Sequence, residues 1–121
     1  MKHDEPRRRW QARPRWRVQR GAEIALGPGK VDLLEAIERA GSISGAAQAL
    51  GMSYRRAWTL VSTMNGCFAE PLVATAAERR SGARLTAQGR LVLRLYRRIE
   101  AESLRAARAD LAALRRLLLR P

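Results

Sequence analysis

The chain is poor in the residues that build chemistry. It has one cysteine, Cys67, and one histidine, His3. A single cysteine excludes an internal disulfide and suits a reducing compartment. With no histidine near it, Cys67 is read as a small buried hydrophobe rather than a reactive thiol. Cys–His zinc ligation and Ser–His–Asp catalysis both lack their imidazole, because His3 falls in a basic tail. No glycine-rich phosphate loop with its Lys and Ser/Thr is present. The sequence therefore predicts neither an enzyme nor a bound cofactor or metal. Nor does any apolar run approach the roughly 18 residues that a membrane span needs. The N-terminal charges are not followed by an apolar segment, so no signal peptide is expected and the predicted address is the cytoplasm.

Negative charge is also scarce. Eleven acidic residues face 24 basic ones, a net charge of +13, and only Lys2 and Lys30 are lysines. Such an arginine excess favours a polyanionic partner, nucleic acid or an anionic membrane surface. The excess sits at the two ends: eight basic and two acidic groups in residues 1–20, nine and three in residues 87–121. Residues 21–66 balance at four and four. At 121 residues there is room for one domain with a modest core, plus tails.

Within the neutral middle lies the most structured stretch, GSISGAAQALGMSYRRAWTLVSTMN, residues 41–65. It predicts two short helices joined by a tight turn. The first runs from Ser44, its expected N-cap, to Leu50, with Ala46, Ala47, Ala49 and Leu50 facing inward. Gly51 supplies the permissive backbone that ends it. Ser53 caps the second helix, which ends near Asn65. At 100° per residue, Ala57, Leu60, Val61 and Met64 share one arc, with Tyr54 and Trp58 at its edge. Arg55, Thr59 and Ser62 occupy the opposite arc, flanked by Arg56 and Thr63. An apolar back and a front of Arg, Thr and Ser suit a helix that packs on its domain and enters a DNA major groove. The competing explanation is a plain solvated face.

The flanking segments complete a domain. Residues 1–16, arginine-rich with two prolines and two tryptophans, read as a flexible basic arm. Trp10 and Trp16 could stack on bases or fold back on the domain. Residues 16–26 suggest one short strand, or two halves around Gly21, and Pro28 opens a helix that ends at Gly41 with Val31, Leu34 and Ile37 on one face. Beyond Asn65, residues 71–76 and 83–85 read as a hairpin whose tip, residues 77–82, is basic. Two strands after the second helix form the layout of a winged helix, and Arg79, Arg80 and Arg84 would straddle a phosphate backbone or minor groove.

Thr86 caps a last helix expected to reach Leu119. Val92, Leu95, Tyr96 and Ile99 form one stripe on it. A second stripe of Leu104, Ala107, Leu111, Leu114 and Leu118, rotated by roughly 70°, reads as a coiled-coil seam for a homodimer. The seam could instead fold back on its own domain or lie on a membrane as a basic amphipathic helix. The expected fold class is thus mainly α with a small β-hairpin: a winged helix-turn-helix over residues 17–86, a long dimerisation helix over residues 87–121 and the arm before them.

The pieces GSIS, SYRRAW, the MN ending, PLV and ARLTAQGRLVLRLY together resemble the N-terminal DNA-binding domain of the ModE family, molybdate-responsive bacterial transcription regulators related in this domain to the LysR type. The resemblance covers about residues 17–104. It implies a dimeric, sequence-specific DNA-binding regulator, with Ser53, Tyr54, Arg55, Arg56, Thr59 and Ser62 carrying recognition and Trp58 mainly structural. Arg55 is the expected bidentate partner of guanine, and Ser44 and Ser53 are expected on phosphates. Family members carry C-terminal molybdate-binding domains, for which 121 residues leave no room, so molybdate is a partner only by resemblance. The wing is also short and lacks a glycine-rich run. The alternatives are a winged-helix interaction module that binds RNA or membrane non-specifically, and an oxyanion-binding protein with a dimer groove lined by arginines.

Overall fold

The computed structural model describes residues 10–75 and 82–119. Residues 10–17 carry neither helix nor strand. A first hairpin follows, β1 (Val18–Arg20) and β2 (Glu23–Leu26), paired antiparallel with Gln19 opposite Ile24 and an irregularity between Val18 and Gln19. Gly21, at φ 61°, makes its turn, so the two-halves reading holds. Helix α1 (Pro28–Ala40) then starts on Pro28 and ends on Gly41, whose left-handed φ of 73° lets its N–H reach Ile37 O. Val31, Leu33, Leu34 and Ile37 are fully buried, so α1 is the central core helix. Each such side chain contributes about 1.5–3 kcal/mol of transfer free energy.

Helix α2 (Ile43–Leu50) and helix α3 (Tyr54–Cys67) form the helix-turn-helix. Here the expected cap was misplaced. Ser42, not Ser44, has the extended backbone of an N-cap, and its hydroxyl accepts from Gly45 N at 3.0 Å. Ser44 lies inside the first turn and is exposed. The shift moves the inward face, so Ile43, Ala46 and Ala47 are buried while Ala49 and Leu50 face solvent. At the other end Met52 N bonds Ala47 O and Gly51 N bonds Gln48 O, the crossed pair that closes a helix on a left-handed glycine. Ser53 caps α3 at once, accepting from Arg56 N at 3.1 Å.

Helix α3 continues past Asn65 to Cys67, and the Asn65 side chain is engaged outside the helix. Its Oδ1 accepts from Leu72 N (2.8 Å) and Val73 N (3.1 Å), and its Nδ2 donates to Val73 O (3.1 Å). Asn65 thus fixes the entry to a second hairpin, β3 (Val73–Ala74) and β4 (Arg84–Leu85), antiparallel and shorter than the sequence suggested. The return strand is tied in by Ala83 N donating to Gly41 O at 2.9 Å. Cys67, in the last turn of α3, is only half-buried, its thiol 3.9 Å from a Glu23 carboxylate oxygen, so it is not the core residue expected.

Helix α4 (Ala87–Ala106) begins on Thr86, which accepts from Gly89 N and donates to the carbonyls of Pro71 and Leu72. A Cβ on Gly89 would lie 2.1 Å from Leu72 O, so only glycine lets the helix approach the hairpin this closely. Leu93 and Tyr96 face the core, whereas Leu95 and Ile99, of the same stripe as Tyr96, are each 43% exposed. The long helix is not continuous. Ala107 leaves helical geometry at ψ 4°, and α5 (Arg108–Leu117) follows it and stops short of Leu119. Arg97 ties α4 to α1 through Asp32 (3.2 Å) and Glu35 (2.9 Å), and it also pairs with Glu100 within α4 at 2.9 Å. Burial works against the Arg97 charge, but its hydrogen bonds to Glu100, Asp32 and Glu35 outweigh it and raise the pKa above the ordinary arginine value.

The segment before β1 is also anchored. Tyr96 Oη donates to Trp16 O at 2.7 Å, and Trp16 Nε1 donates to Ser103 Oγ at 2.6 Å. Of the two options for Trp16, folding back on the domain is the one observed. No helix among the described residues is long and apolar enough to cross a membrane.

Candidate nucleic-acid interface

The second helix of the helix-turn-helix divides as the angular count predicts. Ala57, Val61 and Met64 are fully buried and Leu60 is half-buried. Ser53, Arg55, Arg56, Thr59 and Ser62 are exposed. The front is therefore a solvent-facing surface of two arginines and small hydroxyls, held by a rigid apolar back. Arg55 and Arg56 enter no ion pair among the described residues, unlike Arg97 and Arg105. They are free to meet an external anion.

The second hairpin stands beside this front. Arg84 on β4 is exposed. Arg79 and Arg80, expected at its tip, lie outside the described residues. Between the hairpin, the start of α2 and α3 is a cleft of about 210 Å³ lined by Ser42, Ser44, Tyr54, Trp58, Thr75 and Gly82, with Ile43 and Ala83 as its apolar floor residues. Tyr54 is 57% exposed and Trp58 43%, so the tryptophan taken as structural is not a core residue. Sequence reasoning placed it at the edge of the apolar arc. The strand beside that edge was expected from the sequence, but its approach to α3 was not, because it is set by the tertiary bonds of Asn65 to Leu72 and Val73.

The dimerisation residues are distributed as follows. Ala107 and Leu111 are half-buried against residues 12–17 in an open cleft of about 410 Å³ that also includes Leu104. Leu104 is 41% exposed and Leu114 55%. Leu118, 54% exposed, lies just beyond α5. Leu91, Leu95 and Ile99 add a further exposed apolar strip on α4. No group of three or more His, Cys, Asp or Glu among the described residues could hold a metal ion.

A capped helix pair with a three-residue turn, followed by a short antiparallel hairpin and a helix leading away, defines a winged helix-turn-helix protein. Residues 29–90, just over half of the chain, match the family described as bacterial regulatory helix-turn-helix protein, lysR family. The chain belongs to that family. It is 45% identical over 80 residues to the molybdenum transport protein ModE of Azotobacter vinelandii, covering 64% of this chain and 30% of that protein. It is 42% identical over 78 residues to the molybdenum-pterin-binding protein MopA of Rhodobacter capsulatus (63% and 29%). With the DNA-binding transcriptional dual regulator ModE of Escherichia coli K12 the identity is 38% over 76 residues (61% and 29%). The chain thus spans under a third of the length of these relatives. Among solved structures, full-length LysG of Corynebacterium glutamicum, an LTTR with bound effector Arg, superposes with a TM-score of 0.54 at 25% identity, over 76% of this chain and 29% of that one.

Proposed function

We propose that this chain is a sequence-specific, DNA-binding transcription regulator that works as a homodimer in the bacterial cytoplasm. The observation that carries the proposal is the division of α3: Ala57, Val61 and Met64 wholly buried, Arg55, Thr59 and Ser62 wholly on the outside. A helix held this rigidly from behind can lie in a major groove without losing its own packing. Arg55 then offers its guanidinium fork to the N7 and O6 of guanine, and Thr59 and Ser62 donate to neighbouring base edges. Ser44, Ser53 and Arg56 sit where the phosphates on either side of the groove would pass, and Arg84 leads the hairpin, with Arg79 and Arg80, toward the adjacent minor groove.

Pairing of two chains through α4 and α5 is supported by apolar surface that one chain leaves uncovered. Leu104, Leu114 and Leu118 are the exposed members of the seam, which Ala107 and Leu111 complete from their half-buried positions, and Leu91, Leu95 and Ile99 extend the exposed surface along α4. The names of the relatives concern molybdenum, but they belong to proteins of which this chain matches under a third. Selection from a random duplex library at physiological salt tests the proposal. Enrichment of a discrete two-fold-symmetric sequence is the expected result. Uniform, steeply salt-dependent binding would favour the non-specific interaction module instead.

A further inference from the structure

We propose that Trp58, with Tyr54, forms a saddle for one DNA strand where it passes between the recognition helix and the wing, the indole ring against a deoxyribose and its N–H on the adjoining phosphate. This rests on the DNA-binding role proposed above and extends it to a residue that role does not use. The helical period puts Tyr54, Trp58 and Asn65, spaced i, i+4 and i+11, on one flank of α3. The far end of that flank faces the wing, because Asn65 binds the backbone of Leu72 and Val73. The near end therefore faces the wing too, and there the two aromatic rings line the cleft of about 210 Å³ with Ser42, Ser44, Thr75 and Gly82.

The lining suits a sugar–phosphate segment. It offers the hydroxyls of Ser44, Tyr54 and Thr75 and one indole N–H, with two half-exposed ring faces and no carboxylate among these groups. Phosphate oxygens accept from such donors, and a deoxyribose face packs on a ring. The position fits as well. If α3 lies in a major groove and the hairpin follows the adjoining minor groove, the strand separating those grooves crosses the gap between them. At 210 Å³ the cleft falls below the size of a small-molecule pocket, so an extended chain laid across it is the better occupant. The back of α3 is seated by Ala57, Val61 and Met64, all wholly buried, whereas the two rings keep about half of their surface exposed.

The test uses the full chain and the duplex that it enriches from a random library. Methylphosphonate replacements, made one at a time along that duplex, remove single phosphate charges. One position is expected to weaken wild-type binding by roughly tenfold, the size of one good contact, and to have no further effect in Trp58→Phe. A replacement profile identical in both proteins would overturn the assignment. Replacing thymines with deoxyuridine should leave the Trp58 contribution unchanged, and its disappearance would mean that the ring reads a methyl group instead. Should Trp58→Phe not fold, the Trp10→Phe/Trp16→Phe protein keeps Trp58 as its only tryptophan. Its emission should change on adding the duplex in step with binding, and an unaltered emission at saturation would overturn the saddle. If no duplex is enriched at all, the DNA-reading role fails and the saddle with it.

Discussion

Replacing Gly89 with alanine sets two effects against each other at one point of the fold. In an exposed helix interior the change stabilises by about 0.5–1 kcal/mol, because alanine loses less backbone entropy than glycine. Gly89 is instead pressed on the hairpin. An added Cβ would lie 2.1 Å from Leu72 O and 3.0 Å from Leu72 C, with ordinary contact beginning at 3.4 Å. Helix and strand must therefore move apart by more than an ångström to admit it. That same carbonyl accepts from Thr86 N at 2.9 Å and from the Thr86 hydroxyl at 3.2 Å, so the separation also strains the helix cap. Overpacking costs about 1–3 kcal/mol and a weakened hydrogen bond about 0.5–1.5 kcal/mol. After the propensity gain, the net expectation is a loss of about 1–3 kcal/mol. Gly66 is the control: it is helical in α3 with nothing within 4 Å of its added Cβ. Gly66→Ala should raise stability by about 0.5–1 kcal/mol. Urea unfolding followed by circular dichroism measures both. A Gly89→Ala protein as stable as wild type would refute the contact between α4 and Leu72.

Other consequences concern the hairpin, the arm and the dimer. Asn65→Ala leaves three backbone groups of residues 72 and 73 without their partner, and denaturant unfolding should register a loss of about 2–3 kcal/mol. Asn65→Asp keeps the two accepted bonds and should lose less. Burial, followed by the nearby Glu100 charge, raises the Tyr96 pKa above the ordinary phenol value, although Arg97 opposes this. A raised folded pKa gives stability that is complete below the unfolded value of about 10 and is lost as pH rises beyond it. A thermal-melt series across pH 9–12 should therefore fall more steeply for wild type than for Tyr96→Phe. Leu111→Asp with Leu114→Asp should convert dimers to monomers in sedimentation, whereas surviving dimers would move the interface to the Leu91, Leu95 and Ile99 strip.

Local signals carried most of the fold. Gly21 and Gly41 each marked a left-handed position, Pro28 marked a helix start, and Gly51 with Ser53 marked the turn between α2 and α3. In GSIS, two serines compete for one cap. Only Ser42 stands far enough before Gly45 to accept its N–H, a distinction that spacing alone blurs. Asn65-Gly66 resembles a helix stop, but the Asn65 amide is committed to β3 and Gly66 stays helical. That link is tertiary, and so are the Trp16 contacts with Ser103 and Tyr96. The break at Ala107 falls where the sequence has neither glycine nor proline to mark it. In the candidate site, the front of α3 was legible because burial of its back enforces a helical period. The cleft at Trp58 was not, because half of its wall comes from another element.

The central claim is that the exposed front of α3 reads base sequence through Arg55. It is tested most directly by measuring Arg55→Ala binding to the enriched duplex and to random DNA at one fixed salt concentration. A base-reading Arg55 predicts a loss of about 1–3 kcal/mol on the enriched duplex, with relaxed preference at one position and a smaller loss on random DNA. Equal losses on both would contradict it and leave Arg55 as a phosphate contact.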